Sequence, residues 1–318
     1  MAKAKKNEGD CEYKTQFTVE KKNIEMELLE PQIHENIAVI PIKTKASKLD
    51  ILTVKKGFEL GLISIDECEK STVGQIVVTN NSISPLILVD GDEIIGAKQN
   101  RIVNNTTLVG PKSSINLSVS CVEQGRWAYT DSFKVSANIA TSKTRSVKAK
   151  ALYSNVNAQS EVWNSISSLE DRNSFHSSTQ AMSESYDRLK AKHDKYVKKF
   201  ERIKGQSGAM VFVNGEFEGM DVFINPQIYG EYHEKILKSY IIDKDDSNQE
   251  TVNKYDLSIK ALEILEAIET SEIKENKTQG IGRSISFSNE IGTGSALIYK
   301  DKVLHIPFLK HPEIMEKN

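Results

Sequence analysis

Two short stretches of the sequence place charged side chains, amides and glycines directly after apolar runs, a common setting for ligand-binding groups. The first is DGDEIIGAKQNRIVNN, Asp90 to Asn105. If its second part is extended, the two-residue period of a strand puts Gln99 and Arg101 on one face and Lys98 and Asn100 on the other. A planar guanidinium beside an amide suits a phosphate or carboxylate together with a hydroxyl or base edge. The alternative interpretation is an edge hairpin that carries solvated charges.

The second stretch is SCVEQGRWAYTDS, Ser120 to Ser132, which follows a predicted strand. Here Trp127 could stack on an adenine, Arg126 could bind a phosphate, and Glu123 could accept a ribose hydroxyl or a proton. The alternative is an aromatic side chain in the core or at its rim, beside a surface ion pair worth about 0–1 kcal/mol. Cys121 has no histidine nearby to act as a base, so we expect a buried structural thiol.

Two further polar residues could belong to a site. Gln159, in NAQSEVW, could line a pocket or cap the start of a helix, and Asp221, in EGMDVF, could be a general base or an outward strand residue. The six histidines are scattered and no HExxH spacing occurs, so we expect no metal site and no cofactor. The motifs of serine hydrolases, kinases and deaminases are absent from the sequence.

The elements that must position these residues change along the chain. Short β-branched runs separated by turn residues predict strands from Ile37–Ile42 up to the second stretch. A long helix is predicted from about Ser177 to Ile203, and Asn214-Gly215 predicts a hairpin. Asn225 and Pro226 predict the start of another helix. A charged linker, an amphipathic helix and three strands follow, the last with Leu304, Ile306 and Phe308 alternating with outward positions.

These elements predict an α+β fold in which a strand-rich N-terminal half, sandwich or barrel-like, packs on a C-terminal helix, hairpin and helix half. We expect a disordered Lys-rich tail at residues 1–18, the strand-rich half at 19–131, a cationic loop at 132–156 and the α+β half at 157–318. One polar pocket is expected between the two halves.

The composition restricts the class of protein. The chain has 318 residues and a formal net charge of -2, which argues against binding of extended nucleic acid. Three cysteines without a CxxC favour a reducing compartment, and no signal peptide or membrane-spanning run is present. We expect a soluble cytoplasmic protein. The sequence leaves the oligomeric state open, a homo-oligomer included.

Four motifs taken together resemble a known family. DGDEIIGAKQNRIVNNTTLV, SCVEQGRWAY, NAQSEVW and GQSGAMVFVNGEFEGMDVF occur in the order and at about the distances of the ARPP-1 domain, from roughly Ile33 to Phe308. The family is named for its association with ADP-ribosylglycohydrolases and similar proteins, which implies handling of NAD-derived, ADP-ribose-like metabolites. Its polar positions would correspond to Glu93, Lys98, Gln99, Asn100, Arg101, Cys121, Glu123, Gln124, Arg126, Trp127, Gln159 and Asp221.

The residues and the resemblance together favour a protein that senses or sequesters an ADP-ribose-type nucleotide, such as a signalling nucleotide of bacterial antiviral defence. Arg101 and Arg126 would bind the diphosphate, and Trp127 would stack. Gln99 and Glu123 would bind the ribose or the base. The first alternative is an enzyme that hydrolyses or transfers an ADP-ribose derivative, with Glu123 or Asp221 as general base. The second is a protein-interaction scaffold without a small-molecule pocket.

Overall fold

The computed structural model describes residues 5–6, 12–47, 49–68, 73–242 and 253–312. Up to Ile139 it contains one short helix among many strands, and the chain after Ile139 contains the other described helices. The strands up to Ile139 are β1 (Lys5–Lys6), β2 (Tyr13–Val19), β3 (Lys22–Leu28), β4 (Gln32–His34), β5 (Ile37–Thr44), β6 (Leu52–Thr53), β7 (Ile63–Glu67), β8 (Gln75–Asn80), β9 (Leu86–Leu88), β10 (Asp92–Ile95), β11 (Arg101–Val103), β12 (Thr107–Val109), β13 (Ser113–Cys121) and β14 (Lys134–Ile139), with α1 (Val54–Glu59) after β6.

The remaining elements form the helix-rich part. The helices are α2 (Ser142–Tyr153), α3 (Gln159–Arg172), α4 (Met182–Arg188), α5 (Lys190–Val197), α6 (Pro226–Ile241) and α7 (Lys254–Glu269). The strands are β15 (Gly208–Val213), β16 (Glu216–Phe223), β17 (Glu272–Asn276), β18 (Arg283–Ser288), β19 (Gly292–Tyr299) and β20 (Lys302–Lys310). This is the α+β fold predicted from the sequence. No helix of the described residues is long and apolar enough to cross a membrane.

The largest sheet combines strands from both ends of the chain. Its order is β1-β2-β3-β5-β15-β16-β20-β19-β18-β17, and β4 also pairs with β5. The central pairing, between β5 and β15, sets Ala38 opposite Phe212 and Ile40 opposite Met210. Apolar side chains cover both faces of this sheet, one packed against α7 and the other against α6. A strand covered on both faces reads as a continuous apolar run, as IAVIPI does.

The second sheet carries the two polar stretches. Its order is β14-β10-β11-β13-β8-β7, and beside it lies a small sheet of order β12-β9-β6. One face of the second sheet encloses a separate apolar core, and the other face packs against α3 and α4. Fully burying one Val, Leu, Ile or Phe side chain stabilises a fold by about 1.5–3 kcal/mol, so these clusters hold the strand ends in place.

Several local predictions are confirmed. The hairpin joins β15 to β16 at Asn214 and Gly215, whose φ angles of 52° and 73° match the turn that an Asn-Gly pair favours. Asn225 caps α6 by accepting a hydrogen bond from the backbone N–H of Gln227, and Pro226 is the first helical residue. Among the predicted terminal strands, Leu304, Ile306 and Phe308 are buried as expected. The predicted outward positions of β20 are wrong, because His305 and Pro307 are buried as well.

The predicted cationic loop at 132–156 is wrong: this interval forms β14 and α2. Thr141 caps α2 through the backbone N–H of Thr144. The error has a physical cause: a run of cations is typical of a solvated loop, whereas the Arg145 and Lys148 side chains are fully buried against carboxylates.

Two other predictions need correction. The disordered tail was predicted for residues 1–18, but Tyr13–Val19 forms β2, pairs with β3 and buries alternate side chains, Tyr13 and Phe17 among them. Residues 1–4 and 7–11 of that tail lie outside the described residues. The single long helix predicted from Ser177 to Ile203 is two short helices, α4 and α5, which meet at Leu189. Most of the predicted charged linker, residues 243–252, lies outside the described residues.

Candidate functional site

The two polar stretches lie side by side because β11 pairs with β10 on one side and with β13 on the other. The register sets Arg101 directly opposite Cys121. The turn between β10 and β11 also touches the chain just before β14. Gly96, at φ 115°, is so close to that segment that a Cβ atom would lie 2.6 Å from the carbonyl oxygen of Ser132. Only glycine tolerates both the angle and the approach, so this position fixes the two loops against each other.

Arg126 holds the loop after β13 to the turn between β10 and β11. Its Nε and Nη2 donate to the two oxygens of Glu123 at 2.8 and 2.6 Å, and its Nη1 donates to the carbonyl oxygens of Ala97 and Ala128 at 2.7 and 2.8 Å. Both side chains of the ion pair are largely buried. The guanidinium and the Glu123 carboxylate are therefore committed to each other and to the backbone.

Arg101 differs from Arg126 in having part of its guanidinium unused. The side chain is fully buried, and its Nη1 donates to Gln99 Oε1 at 3.0 Å and to the carbonyl oxygen of Asn100 at 3.3 Å. Its Nε and Nη2 have no hydrogen-bond partner. These two atoms form one edge of the planar group, the edge that binds carboxylates and phosphates in a bidentate manner. Because an unsatisfied buried donor costs about 1–3 kcal/mol, this edge is a candidate anion-binding group.

Gln99 and Asn100 complete the polar network around Arg101. Gln99 Nε2 donates to the carbonyl oxygen of Glu123 at 3.0 Å, and the backbone N–H of Asn100 donates to Glu123 Oε2 at 3.1 Å. Asn100 Oδ1 accepts from the backbone N–H of Gly96 at 2.9 Å. The structure thus joins the predicted residues Gln99, Asn100 and Arg101 to Glu123 and Arg126.

Glu67, at the end of β7, belongs to the same site and was missed in the sequence. Its Oε1 accepts from the backbone N–H of Lys98 at 3.3 Å, whereas its Oε2 is buried without a partner. Burial lowers the pKa of the Arg101 guanidinium, and the charge of the Glu67 carboxylate opposes that shift. No pattern in the sequence connects Glu67 to Arg101, because only the pairing of distant strands brings the two together.

Cys121 and Gln159 have structural partners. Gln159 Oε1 accepts from the backbone N–H of Cys121 at 2.8 Å, and its Nε2 donates to the Cys121 carbonyl oxygen at 2.8 Å. This paired contact ties the start of α3 to the end of β13. Burial raises the pKa of the Cys121 thiol, although the hydrogen bond to the Glu123 backbone opposes the shift. The thiol is therefore protonated at neutral pH and fits the predicted buried cysteine.

The outer surface of the loop after β13 is aromatic. The side chains of Trp127 and Tyr129 are 51% and 65% exposed, and Gln124 is exposed as well. Lys98 Nζ lies 5.4 Å from the centroid of the Trp127 ring, within the range of a cation–π contact. Large aromatic side chains in water are available for stacking on a ligand.

Two predicted residues lie away from this cluster. Asp221 is buried and accepts two hydrogen bonds from Arg145, at 2.9 and 2.6 Å, one from Tyr240 at 2.8 Å and one involving His305 Nε2 at 3.1 Å. Burial alone would raise the pKa of Asp221, but Arg145 and His305 hold it well below its usual range. Arg145 also contacts Asp90, which binds Lys148. The arrangement is that of a buried ion network.

Glu93 lies on the other face of the second sheet. It is fully buried, neither carboxylate oxygen has a hydrogen-bond partner, and burial raises its pKa to about 7. Ser136, Asn138 and the charge of Lys235 oppose that rise, and Asp187 adds to it. This carboxyl is close to half protonated at neutral pH.

A large cleft on the described surface lies near Glu93 rather than near Arg101. It has a volume of about 1170 Å³, and its walls come from α1, β14, the end of α5 and α6. Lys235 and Ser136 line it, and Lys235 Nζ donates to the Ser136 carbonyl oxygen at 2.9 Å. Cations and carboxylates line this cleft together, and the predicted site residues do not contribute to its wall.

The chain was compared with known proteins. No curated protein and no solved structure matches it. A family model does match, over residues 25–309, and its description is ARG and Rhodanese-Phosphatase-superfamily-associated Protein domain. The match covers most of the chain, includes both polar loops and places the protein in an ADP-ribose-related context through the family's associations. On this match, the chain belongs to the ARPP-1 family.

Proposed function

We propose that the protein binds an anionic nucleotide of the ADP-ribose type, with Arg101 as the principal anion-binding group. The observation that carries this proposal is the unpaired Nε and Nη2 edge of a fully buried guanidinium. A phosphate would satisfy both donors at once, in a medium where charge-assisted hydrogen bonds are strong. The family's ADP-ribose-related context supports the nucleotide class.

The surroundings of Arg101 support a nucleotide over a simple anion. Trp127 and Tyr129 offer exposed aromatic surface on the adjoining loop, and Lys98 adds a cation beside Trp127. Stacking of one base on an aromatic side chain contributes about 1–3 kcal/mol. In this arrangement Arg126 positions the loop, since its hydrogen bonds to Glu123 and to two carbonyl oxygens already occupy its guanidinium.

Binding without turnover is the better supported form of the proposal. A general base must be free to accept a proton from the substrate or from a water molecule. Asp221 is held by Arg145, Tyr240 and His305, and Glu123 is held by Arg126. A protein that binds such a nucleotide and releases it unchanged would sense or sequester it. The proposed setting is bacterial antiviral defence.

Arg101 has no exposed surface, so ligand entry requires the two loops to separate. The contacts that join them include the hydrogen bonds from Arg126 to Ala97 and Asn100, and those from Gln99 and the Asn100 backbone to Glu123. Separation of the loops costs free energy in the ligand-free protein. This cost lowers the apparent affinity for the ligand.

The test is calorimetric titration of the purified protein with ADP-ribose, NAD and ADP, followed by chromatography of the recovered ligand. Arg101→Met should weaken binding of ADP-ribose by about 2–4 kcal/mol. Arg101→Lys should recover little of the affinity lost in Arg101→Met, since an ammonium lacks the bidentate edge. Arg188→Met, which removes an exposed arginine paired with Glu184, is the matched control. Wild-type affinity in Arg101→Met would refute the assignment of Arg101 to the binding site. Recovery of a chemically altered ligand would show that the protein is an enzyme.

A further inference from the structure

We infer that Glu67 is a specificity-determining residue that accepts a hydrogen bond from a ligand hydroxyl, next to the oxyanion bound by Arg101. The ligand class is then a phosphate ester that carries a hydroxyl close to its phosphate, as ribose phosphates do. This inference rests on the proposed function, because it assigns a second contact in the same site.

The geometry comes from four neighbouring strands. β7 pairs with β8, β8 with β13, and β13 with β11, so that Glu67 and Arg101 lie at the same end of the second sheet. The backbone N–H of Lys98, in the turn that leads into β11, donates to Glu67 Oε1 and so fixes one side of the carboxylate. Oε2 remains buried and without a partner, as do Nε and Nη2 of Arg101.

The unpaired atoms of Arg101 and Glu67 differ chemically, and together they define which groups a matching ligand must carry. The Arg101 edge offers two donors and a positive charge, which an oxyanion satisfies. Glu67 Oε2 offers an acceptor and a negative charge, which an oxyanion would leave unsatisfied and would repel. A hydroxyl donor satisfies it without adding charge. An isolated phosphate therefore fits half of the site, whereas a phosphate with a neighbouring hydroxyl fits both halves.

The competing interpretation is that Glu67 serves only as an internal counter-ion for Arg101. The two interpretations predict different effects of Glu67→Gln on the preference between phosphates with and without a hydroxyl. A counter-ion competes with the ligand, so its neutralisation should strengthen binding of every phosphate by one common factor. If Glu67 accepts a hydrogen bond from a ligand hydroxyl, the substitution should in addition remove the advantage of hydroxyl-bearing phosphates over those without a hydroxyl, because a buried acceptor built for a hydroxyl discriminates against ligands that lack it.

The experiment uses glycerol 3-phosphate and propyl phosphate, which share a carbon skeleton and a phosphate and differ in hydroxyl groups. Their binding to the full chain is titrated by NMR. The wild type should prefer glycerol 3-phosphate by about 10- to 100-fold, the range expected for one charge-assisted hydrogen bond. Glu67→Gln should remove most of that preference. Asp66→Asn, an exposed neighbour on β7, is the matched control and should retain it.

Each outcome has one meaning. Equal affinity of the wild type for the two phosphates, or an unchanged preference between them in Glu67→Gln, overturns the inference. So does failure of both phosphates to bind. None of these results decides whether ADP-ribose binds through Arg101, which the titration of Arg101→Met answers separately. If ADP-ribose fails to bind while the preference for glycerol 3-phosphate holds, the nucleotide proposal falls and the hydroxyl contact stands.

Discussion

Replacement of Glu93 by Gln should stabilise the protein at and above neutral pH. Glu93 is fully buried on β10, and burial raises the pKa of its carboxyl from an ordinary value near 4.5 to about 7. Between these two values the folded protein holds a proton that the unfolded chain has released. The free energy of unfolding therefore falls as pH rises through this window, and the loss is complete just above pH 7.

The magnitude follows from the two pKa values. Each pH unit between them is worth about 1.4 kcal/mol, so ionising this one carboxyl costs the fold about 3 kcal/mol at pH 8 relative to pH 4. An amide has the same shape and no proton to lose. Ser136 and Asn138 lie near this side chain, and both favour the ionised carboxyl over the protonated one. As pH rises, the free energy of unfolding of Glu93→Gln should thus increase by about 3 kcal/mol relative to that of the wild type.

The assay is urea denaturation of the wild type and Glu93→Gln at pH 5, 6, 7 and 8. The difference between the two proteins isolates Glu93, because every other titrating group is shared. Glu216→Gln replaces an exposed glutamate and should show a flat difference across the series. A flat difference for Glu93→Gln as well would refute the reasoning, since it would mean that the buried carboxyl ionises as readily in the folded state as in the unfolded chain.

Two further predictions concern the ion pairs. Asp221→Asn should lower the free energy of unfolding by about 3–5 kcal/mol, because Arg145 would remain buried without its bidentate partner. Urea denaturation measures this change, and a stability near that of the wild type would contradict the prediction. Arg126→Met should lower the free energy of unfolding, because the largely buried Glu123 carboxylate loses its ion-pair partner. It should also release the loop that carries Trp127, so that chymotrypsin cleaves there several-fold faster than in the wild type under native conditions. Unchanged cleavage would show that the loop is held by other contacts.

Local signals in the sequence were sufficient for the elements that local chemistry determines. The turn at Asn214-Gly215 and the cap at Asn225 depend on residues a few positions apart, and both were predicted correctly. β14 and α2 were missed for the opposite reason. Lys148 and Arg145 are buried because Asp90 and Asp221 accept from them, and those partners lie 55 to 76 residues away. A charge pattern alone cannot distinguish a paired buried cation from a solvated one.

The same limit applies to the candidate site. Side chains within one polar stretch could be grouped in advance, and the structure does join Arg101 to Gln99. The pairing of Arg126 with Glu123 could be proposed, but the sequence could not show that it would occupy the guanidinium completely. Glu67 stayed hidden, since its place beside Arg101 depends on the order of strands in the second sheet.

The pairing of β5 with β15 has a consequence for how the chain is made. β5 ends at Thr44 and its neighbour in the sheet begins at Gly208, so the ribosome must add the intervening residues before this edge can be covered. At about 5–20 residues per second, the apolar strand waits for on the order of ten seconds or more. Pairings between such distant segments are also intrinsically slow to form. During synthesis, IAVIPI is a free strand edge that a second nascent chain or a chaperone can bind.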